Sequence, residues 1–532
     1  MPVGFVGAHP ILPLMVSLIP RPAQCEVLEG EGFVLGANSV IVTCECFLPE
    51  ASLLAERLRC ATGFNVAVTV DGSQASDGSF IELRVTKPES THREAYNLLV
   101  SGGRARIVAS AGSGAFYGCQ TLLQLFPPAI FGAEPRPEIN WMVPAVNIRD
   151  EPRFRWRGIM VDSARYYQPI AYLKKLIDVL SQHKFNTFHW HLTDDQGWRL
   201  EIRKYPRLTE VGSKRRESVR GHRLSELGGD GVPVGGYYTQ GEVRDLVAFA
   251  ARRHVQIIPE IDMPGHAQAA VAAYPELGLL TTPPEVSCQW GIHETLFNVR
   301  PATISFLQDV LAEVIELFPC RYIHIGGDEA VKRQWKEDPE TQARIRELGL
   351  RDEEHLQSWF IEQMAAFLRR HGRSIVGWDE IMEGGLLSPD ATVMSWRGVD
   401  GGIAAARLGH DAVMCPHEST YFDYYQCDDK KCEPLAIKGY LPLHAVYEYD
   451  PMPAGLPAEA KRHIIGVQGQ LWTEYIQTTT RMDYMAFPRS SALAEVAWSP
   501  FPRPSFGDFS RRLRRHLRRL DCQDVRYRWP FE

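Results

Sequence analysis

The stretch Tyr322-Ile-His-Ile-Gly-Gly-Asp-Glu329 joins a short apolar run to two adjacent carboxylates. The apolar run is typical of a buried strand, and the two glycines end it just before Asp328 and Glu329. Two acids at the end of a buried strand destabilise a fold but suit proton chemistry, because burial and mutual repulsion drive their pKa values apart. An alternative interpretation is that Asp328 only caps the following helix.

Short strand patterns of this kind recur from Arg157 onward and alternate with helical patterns. An apolar stripe that includes Ile304, Leu307 and Leu311 predicts one amphipathic helix, and Thr239-Gln-Gly-Glu242 is a capping box that opens another. Eight alternations over about 340 residues predict an α/β fold, a (β/α)8 TIM barrel. The helical patterns are weakest around the sixth and seventh strands, where we expect an irregular barrel. The predicted strands are residues 158–162, 187–191, 255–262, 322–327, 374–378, 392–396, 412–415 and 464–471.

The remaining sequence predicts a smaller domain before the barrel and a helix after it. Strand patterns at 80–86 and 105–109 and a helical pattern at 115–126 predict a supporting α+β domain, followed by a proline-rich linker at 127–144. The arginine-dense segment 511–519 favours a solvated amphipathic helix over a nucleic-acid contact. The expected organisation is an N-terminal extension 1–17, an α+β domain 18–148, a barrel 149–500 and a C-terminal helix 501–532 packed on the barrel.

Composition and charge exclude several classes of partner. The 532 residues are 45% hydrophobic and 23% charged, and the formal net charge of −7 gives no reason to expect nucleic acid or an acidic membrane surface. No apolar run approaches the roughly 18 residues of a membrane span. The apolar stretch 10–20 is interrupted by prolines and follows no basic residue, so it is a poor signal peptide and leaves the localisation unknown.

The cysteine pattern predicts neither a disulfide framework nor a metal site. Eleven cysteines are scattered without a repeating frame. The close pairs Cys44/Cys46 and Cys427/Cys432 lack the tighter, regular spacing of a four-ligand zinc site. We expect a local disulfide at Cys427/Cys432 or free thiols there, with no metal and no cofactor.

Acids, aromatic residues and arginine follow the predicted strands one after another. Side chains at the carboxyl ends of barrel strands meet at one face, so these residues predict a single site. Tryptophans offer stacking area for the apolar face of a sugar ring, and carboxylates and arginine offer paired hydrogen bonds to its hydroxyls. Glycosidic cleavage also needs a carboxylic acid to protonate the leaving oxygen. The residues are Asp162, Arg165, Asp194, Asp195, Asp262, His266, Asp328, Glu329, Trp378, Asp379, Trp396, Tyr421, Asp423, Trp472 and Glu474.

Six motifs hold all of these residues except Trp396, Tyr421 and Asp423, in order along the chain: Asp162-x-x-Arg165, His189-Trp-His-Leu-Thr-Asp-Asp-Gln-Gly-Trp-Arg199, Glu260-Ile-Asp-Met-Pro-Gly-His266, His324-Ile-Gly-Gly-Asp-Glu329, Gly377-Trp-Asp-Glu380 and Gln470-Leu-Trp-Thr-Glu474. Together they resemble the β-N-acetylhexosaminidases of glycoside hydrolase family 20. The resemblance runs from about residue 18 to 500 and includes the small domain. It implies exo cleavage of a terminal β-linked GlcNAc or GalNAc with retention, in which the substrate's own acetamido oxygen attacks the anomeric carbon and forms an oxazolinium ion.

The resemblance also implies a role for each matching residue. Glu329 would be the general acid and then the base, Asp328 would accept a hydrogen bond from the acetamido N–H, and Tyr421 would donate one to the acetamido oxygen. An Asp194–His266 pair would hold and tune Glu329. The acetamido methyl group would be walled by Trp378, Trp396 and Trp472, and the far hydroxyls would be gripped by Arg165, Asp423 and Glu474.

The expected backbone geometry is consistent with separate roles for Asp328 and Glu329. Adjacent residues on a regular strand point to opposite faces, so Asp328 and Glu329 can serve one sugar only if the backbone turns between them. Gly326-Gly327 permits such a turn. Asp262 is a further candidate for the network around His266, whereas we expect structural roles for Asp195 and Asp379.

Three other interpretations remain open. They are a conventional retaining glycosidase with a protein nucleophile, a carbohydrate-binding protein that has lost catalysis, and a nucleotide cyclase of the Gly-Gly-Asp-Glu kind. The intact Asp328-Glu329 pair argues against lost catalysis, and Ala330 stands where a cyclase would need phenylalanine. We expect N-acetylhexosamine-terminated glycans as partners, no nucleic acid or membrane span, and a monomer or homodimer. By family habit, a bacterial periplasmic or extracellular location is expected.

Overall fold

A computed structural model of the chain describes residues 16–70, 79–87, 92–222, 227–385 and 387–531. These residues form two compact units. The first ends at Pro152 and also includes Ser499–Val525, and the second comprises Arg153–Trp498 with the residues from Arg526 onward. No helix in the described part of the chain is both long and apolar enough to cross a membrane. The apolar stretch 10–20 lies mostly outside the described residues.

The first unit is built on a mixed sheet with two helices packed on it. Neighbouring strands on one side of the sheet run antiparallel, and neighbouring strands on the other side run parallel. Alternating burial along the strands, as in Tyr96–Ser101, reflects one covered face. The strands are β1 Gln24–Val27, β2 Phe33–Val34, β3 Val40–Val42, β4 Ala67–Thr69, β5 Phe80–Val85, β6 Tyr96–Ser101, β7 Arg104–Ala109, β8 Met142–Val143 and β9 Val146–Asp150, with helices α1 Leu48–Thr62 and α2 Gly112–Leu125. The sheet order is β1-β9-β6-β7-β5-β3-β4, and β2 pairs separately with β8.

The proline-rich segment 127–144 is not a linker. Most of its large apolar side chains, among them Ile130, Trp141 and Val143, are almost completely buried within the first unit. Strand β8 closes this segment by pairing with β2. The prolines interrupt regular structure here, but burial of the aromatic and aliphatic groups fixes the path of the chain.

Within the described residues of the second unit, eight parallel strands close into a barrel. They are β10 Trp156–Asp162, β11 Thr187–His191, β16 Gln256–Glu260, β17 Tyr322–His324, β18 Ser374–Trp378, β19 Thr392–Ser395, β20 Asp411–Met414 and β23 Ile464–Leu471, and β23 pairs with β10 to close it. Nearly all their residues are buried, as expected for parallel strands covered on both faces. All eight predicted strands are present, and the predicted fold class is confirmed.

Short strand pairs in the loops of the second unit are β12 Thr193–Asp194 with β13 Gly197–Trp198, β14 Lys214–Arg215 with β15 Val234–Gly235, and β21 Tyr424–Tyr425 with β22 Ile437–Tyr440. Its helices are α3 Ile170–Gln182, α4 Arg207–Glu210, α5 Gln240–Ala251, α6 Gln268–Ala273, α7 Pro301–Leu317, α8 Arg333–Glu337, α9 Pro339–Glu347, α10 Glu353–Arg370, α11 Asp400–Leu408, α12 His417–Thr420, α13 Leu443–Glu448, α14 Ala458–Lys461, α15 Thr479–Ala486 and α16 Arg489–Trp498. The predicted capping box opens α5, with Thr239 and Glu242 each bonded to the other's backbone N–H. The 3-10 turns among the described residues of both units are Glu45–Phe47, Pro128–Phe131, Pro275–Leu277, Asp379–Met382 and Lys430–Cys432.

The strand–helix alternation is irregular around the sixth and seventh strands, where an irregular barrel was expected, although one helix there is regular. After the sixth strand, α11 is a regular helix, whereas after the seventh the three short helices α12, α13 and α14 replace one long helix. Between β18 and β19, the described residues contain the 3-10 turn Asp379–Met382 and no α-helix. This turn places Asp379 and Glu380 directly beyond the end of the fifth strand.

The C-terminal helix α17 Phe506–Asp521 belongs to the first unit, which corrects the expectation that it packs on the barrel. Its leucines at positions 513, 517 and 520 are buried, and so are two of its arginines. Arg519 donates to the carbonyl oxygens of Ser17 at 2.6 Å and Gln124 at 2.7 Å, and Arg512 donates to that of Leu18 at 2.8 Å. One face of the helix is therefore not solvated, because its guanidinium groups satisfy main-chain carbonyls.

The cysteine pairs differ from each other. Cys44 and Cys46 form a disulfide within the first unit. Cys427 and Cys432 are free thiols, the second of the two alternatives expected for them.

Candidate active site

A cavity of about 570 Å³ opens at the carboxyl ends of the barrel strands. Ten of the eleven residues predicted for the site line it: Arg165, His266, Asp328, Glu329, Trp378, Trp396, Tyr421, Asp423, Trp472 and Glu474. The eleventh, Asp194, lies behind the wall and contacts Arg165 and His266. The predicted residues therefore meet in one place. Other aromatic residues that line the cavity are Trp290, Tyr424 and Tyr475.

A sharp turn after β17 brings Asp328 and Glu329 to the same cavity. The strand ends at His324, three residues earlier than predicted, because φ is positive at Gly326 (66°), Gly327 (97°) and Glu329 (49°). A Cβ atom on Gly326 would lie 1.7 Å from Asp262 Oδ1, so only glycine fits. The next helix begins at Arg333, so Asp328 does not cap it.

His266 stands between the two carboxylates of this turn and two buried aspartates. Its Nδ1 lies 3.2 Å from Asp194 Oδ1 and 3.1 Å from Asp195 Oδ2, and its Nε2 lies 3.6 Å from both Asp328 Oδ2 and Glu329 Oε2. Burial lowers the pKa of this imidazole, but the adjacent carboxylates, Asp194 foremost, outweigh burial and raise it well above its ordinary value. The ring is therefore a cation. Asp195 contacts the same imidazole, and the structural role expected for Asp195 stays a prediction.

Asp194 joins Arg165 of the cavity wall to the histidines. Its Oδ2 forms an ion pair with Arg165 Nη2 at 2.7 Å and contacts His191 Nε2 at 2.9 Å. Burial raises the pKa of this carboxyl, but Arg165 and His266 overcome burial and hold it well below its ordinary value. On its other side, His191 Nδ1 lies 2.5 Å from Glu260 Oε2. A continuous chain of contacts thus runs from Glu260 to Glu329.

The tryptophans of the cavity wall are held by buried acceptors. Trp378 Nε1 donates to Glu260 Oε1 at 2.9 Å, and Trp396 Nε1 donates to Glu380 Oε2 at 2.9 Å. The Trp378 and Trp472 rings lie 5.8 Å apart, and the Arg165 guanidinium lies 5.0 Å from the centre of the Trp472 ring. These contacts fix aromatic surface around one corner of the cavity.

Several carboxylate oxygens at the cavity have no hydrogen-bond partner among the described residues. They are Asp328 Oδ1, both oxygens of Asp423, and Glu474 Oε2. Burial raises the pKa of all three groups, that of Asp328 to about 6. Burial also raises the pKa of the Tyr421 hydroxyl, which therefore stays protonated as a donor. Unpaired buried acceptors are costly, so this arrangement fits a ligand that brings N–H and O–H groups.

Family models match most of the chain. The catalytic domain of glycosyl hydrolase family 20 matches residues 154–501, and domain 2 of the same family matches residues 15–151. The chain belongs to glycosyl hydrolase family 20. This confirms the resemblance read from the motifs and places the protein among the glycoside hydrolases.

Relatives of this family 20 chain include proteins of known structure. A β-hexosaminidase of Porphyromonas gingivalis is 43% identical over 518 residues, which are 97% of this chain and 65% of that protein, so the chain spans about two thirds of the relative's length. A family 20 exo-β-N-acetylglucosaminidase from Vibrio harveyi, solved with N-acetylglucosamine, has a TM-score of 0.84 at 34% identity and covers 97% of this chain and 79% of its own. The β-N-acetylhexosaminidase of Streptomyces coelicolor A3(2) has a TM-score of 0.82 at 31% identity, covering 96% and 97%.

Three residues that contact the side chains of this family 20 site were not predicted from the sequence. His191, Glu260 and Glu380 all stand inside the quoted motifs, but they act on neighbouring side chains and not on the cavity itself. A signal existed for one of them, because His191 ends a predicted strand.

The buried histidines and acids of the family 20 barrel also have metal-like spacing. His189, Glu260 and His324 are one of four such groups in the described residues. Glu260 already contacts each of these two histidines at 3.0 Å, and burial lowers the pKa of His189 to about 4. Direct pairing therefore accounts for this cluster without an ion.

Proposed function

We propose that this protein is an exo-β-N-acetylhexosaminidase. It removes one terminal non-reducing β-linked GlcNAc or GalNAc from glycoconjugates or chitooligosaccharides, with retention of configuration. The observation that carries the proposal is the turn at residues 326–329, which directs two sequence-adjacent carboxyl groups into one cavity and leaves Asp328 Oδ1 without a partner. The names of its relatives, β-hexosaminidase and exo-β-N-acetylglucosaminidase, support the same substrate class.

In the first step, the acetamido oxygen of the substrate attacks the anomeric carbon. The bond from that carbon to the leaving oxygen breaks as Glu329 gives its proton to that oxygen, and an oxazolinium ion forms. Asp328 Oδ1 accepts the acetamido N–H and stabilises the positive charge that develops there, while the Tyr421 hydroxyl donates to the acetamido oxygen. The three tryptophans enclose the methyl group.

In the second step, Glu329 takes a proton from a water molecule as that water attacks the anomeric carbon. The oxazolinium ring opens, the acetamido group is restored, and the sugar leaves with its original configuration. Two displacements on the same carbon account for retention. No protein carboxylate needs to act as nucleophile.

Exo cleavage is supported by the residues that would bind the hydroxyls of the terminal sugar. Arg165, Asp423 and Glu474 bring donors and unpaired acceptors to one side, where hydroxyls of a terminal sugar would satisfy them. A further sugar attached there would have to displace these contacts. Arg165 keeps its charge because Asp194, Glu474 and Asp162 outweigh the effect of burial and raise its pKa.

The decisive experiment compares Glu329→Gln with wild type on an aryl N-acetyl-β-glucosaminide. Loss of the proton donor is expected to lower kcat by about 10²- to 10⁴-fold. The surface variant Glu347→Gln, whose partner Arg344 lies on the same exposed helix, serves as the matched control and should retain full activity. Equal rates for wild type and Glu329→Gln would exclude Glu329 as the acid.

Acetamido participation is tested separately with the aryl β-glucoside and a thiazoline inhibitor. We expect no measurable cleavage of the glucoside and competitive inhibition by the thiazoline, which imitates the cyclised intermediate. Comparable cleavage of both substrates would instead support a protein nucleophile.

A further inference from the structure

We infer that Glu380 is a positioning residue that fixes the indole of Trp396 and thereby sets the size of the acyl group that the cavity accepts. The inference rests on the proposed function, because it assigns the Trp396 wall to the acetamido group. It goes further by giving a role to a side chain that does not line the cavity.

The geometry around Glu380 leaves its carboxyl group little freedom. It lies in the 3-10 turn that replaces the helix after β18, and only 8% of the residue is exposed. Its Oε2 accepts from Trp396 Nε1 at 2.9 Å. The Trp396 ring in turn stacks on Tyr421, with 6.2 Å between centroids and 23° between planes. One hydrogen bond therefore sets the orientation of the ring that faces the predicted donor Tyr421.

The charged groups that face Glu380 are the guanidinium of Arg397 and the carboxyl groups of Asp328 and Asp379. Arg397 Nε lies 3.0 Å from Asp379 Oδ1 and 3.8 Å from Glu380 Oε2, while its Nη1 donates to the exposed Glu383 at 2.8 Å. Burial, with Asp328 and Asp379, raises the pKa of Glu380 to about 9, and Glu380 also hydrogen-bonds to Asp379. At neutral pH the group is a neutral acid that donates to Asp379 and accepts from Trp396.

A neutral acid in this position can be replaced by an amide. In Glu380→Gln the amide nitrogen can donate to Asp379 and the carbonyl oxygen can accept from Trp396, so the anchor is retained. In Glu380→Leu the indole N–H loses its acceptor, and the ring can rotate away from Tyr421. The pocket then widens, and discrimination against an added methylene falls, since such discrimination depends on a close wall.

The test measures kcat/KM for aryl N-acetyl- and N-propionyl-β-glucosaminides. We expect Glu380→Gln to stay within about 3-fold of wild type for both substrates. Glu380→Leu should lose about 10- to 100-fold on the N-acetyl substrate and should raise the propionyl-to-acetyl ratio at least about 5-fold. Glu383→Gln is the matched control, because it contacts the same arginine but not Trp396, and it should match wild type.

A double-mutant cycle with Trp396→Phe shows whether Glu380 acts through the indole N–H. Phenylalanine keeps an aromatic wall but has no N–H, so Glu380→Leu should add less than about 2-fold to the loss already caused by Trp396→Phe. Full additivity, or an unchanged propionyl-to-acetyl ratio in soluble Glu380→Leu, would overturn the inference. An inactive wild type would overturn the proposed function instead. If Glu380→Leu does not fold, Glu380→Gln still tests the inference, because a loss well above about 3-fold in that variant would count against it.

Discussion

At the scale of single residues, the carboxyl groups of the cavity are distinguished by their surroundings. Asp194 is ionised by Arg165 and His266, whereas burial raises the pKa of Asp328 to about 6. A raised pKa means that the folded protein holds a proton more tightly than the unfolded chain does. Ionising Asp328 therefore reduces stability as the pH rises from about 4 to about 6. The same ionised form is the one that our proposed reaction uses.

We predict opposite effects of Asp328→Asn on activity and on stability. Without the carboxylate, kcat/KM should fall by about 10²- to 10³-fold, because the developing positive charge loses its partner. The part of the acidic limb of the pH profile that centres near pH 6 should disappear, and the melting temperature at pH 7 should rise. Rate profiles and thermal unfolding between pH 4 and 8 check both, and a variant with an unchanged acidic limb would contradict the assignment.

The residues that line the cavity could be predicted from the sequence more readily than the residues that hydrogen-bond to their side chains and fix them in place. Tryptophans and acids after barrel strands are recognisable because their chemistry is exposed at one face. Glu260 and Glu380 act through indole N–H groups contributed by other strands, as in the pair Glu260–Trp378, separated by 118 positions in sequence. Spacing along a chain carries no information about such partners.

At the scale of elements, the turn after the fourth strand decides whether the site forms. Eight strands could be predicted, since continuous apolar runs mark them, but the end of the fourth could not. Its last predicted residues are taken up by a turn that depends on the side chain of Asp262, which accepts from Gly327 N at 3.3 Å. The helical pattern between the fifth and sixth strands was weak in the sequence, but the sequence did not predict that a turn there would place Glu380 against Trp396.

We predict that Gly326→Ala is far more damaging than Gly349→Ala. Both glycines have φ near 65°, so alanine costs about 1–2 kcal/mol at either position from backbone strain. At Gly326 the new Cβ also meets Asp262 Oδ1, whereas nothing lies within 4 Å at Gly349. Denaturant unfolding should show a loss above about 3 kcal/mol, or no folded protein, for Gly326→Ala alone. Similar losses for both would contradict the steric argument.

At the scale of the whole molecule, segments distant in sequence complete the first unit. Helix α17 contributes buried arginines to carbonyl groups near residues 17–18 and 124. From sequence, an arginine-dense helix is indistinguishable from a solvated one, because a guanidinium looks equally polar whether water or a carbonyl satisfies it. Only the position of the partner segments settles the matter.

We predict that Arg519→Met lowers the free energy of unfolding by about 2–3 kcal/mol, because it leaves buried carbonyl oxygens unsatisfied. The neighbouring Arg518 is exposed, and Arg518→Met should change stability by less than about 0.5 kcal/mol. The kcat of folded Arg519→Met should equal that of wild type, since the helix lies outside the barrel unit. Thermal unfolding with parallel activity assays checks this, and equal stability of both variants would contradict it.

Asp194 has a consequence for how the enzyme would respond to its substrate. One of its oxygens pairs with Arg165, which would bind the sugar in our proposal, and the other contacts His266, which faces Glu329. When a sugar hydroxyl binds the Arg165 guanidinium, the electrostatic interaction between Asp194 and the His266 imidazole changes. A change in the protonation of the imidazole in turn changes the interaction between Asp194 and the guanidinium. Substrate and proton are then two ligands of one linked system, and each must alter the affinity for the other by the same factor.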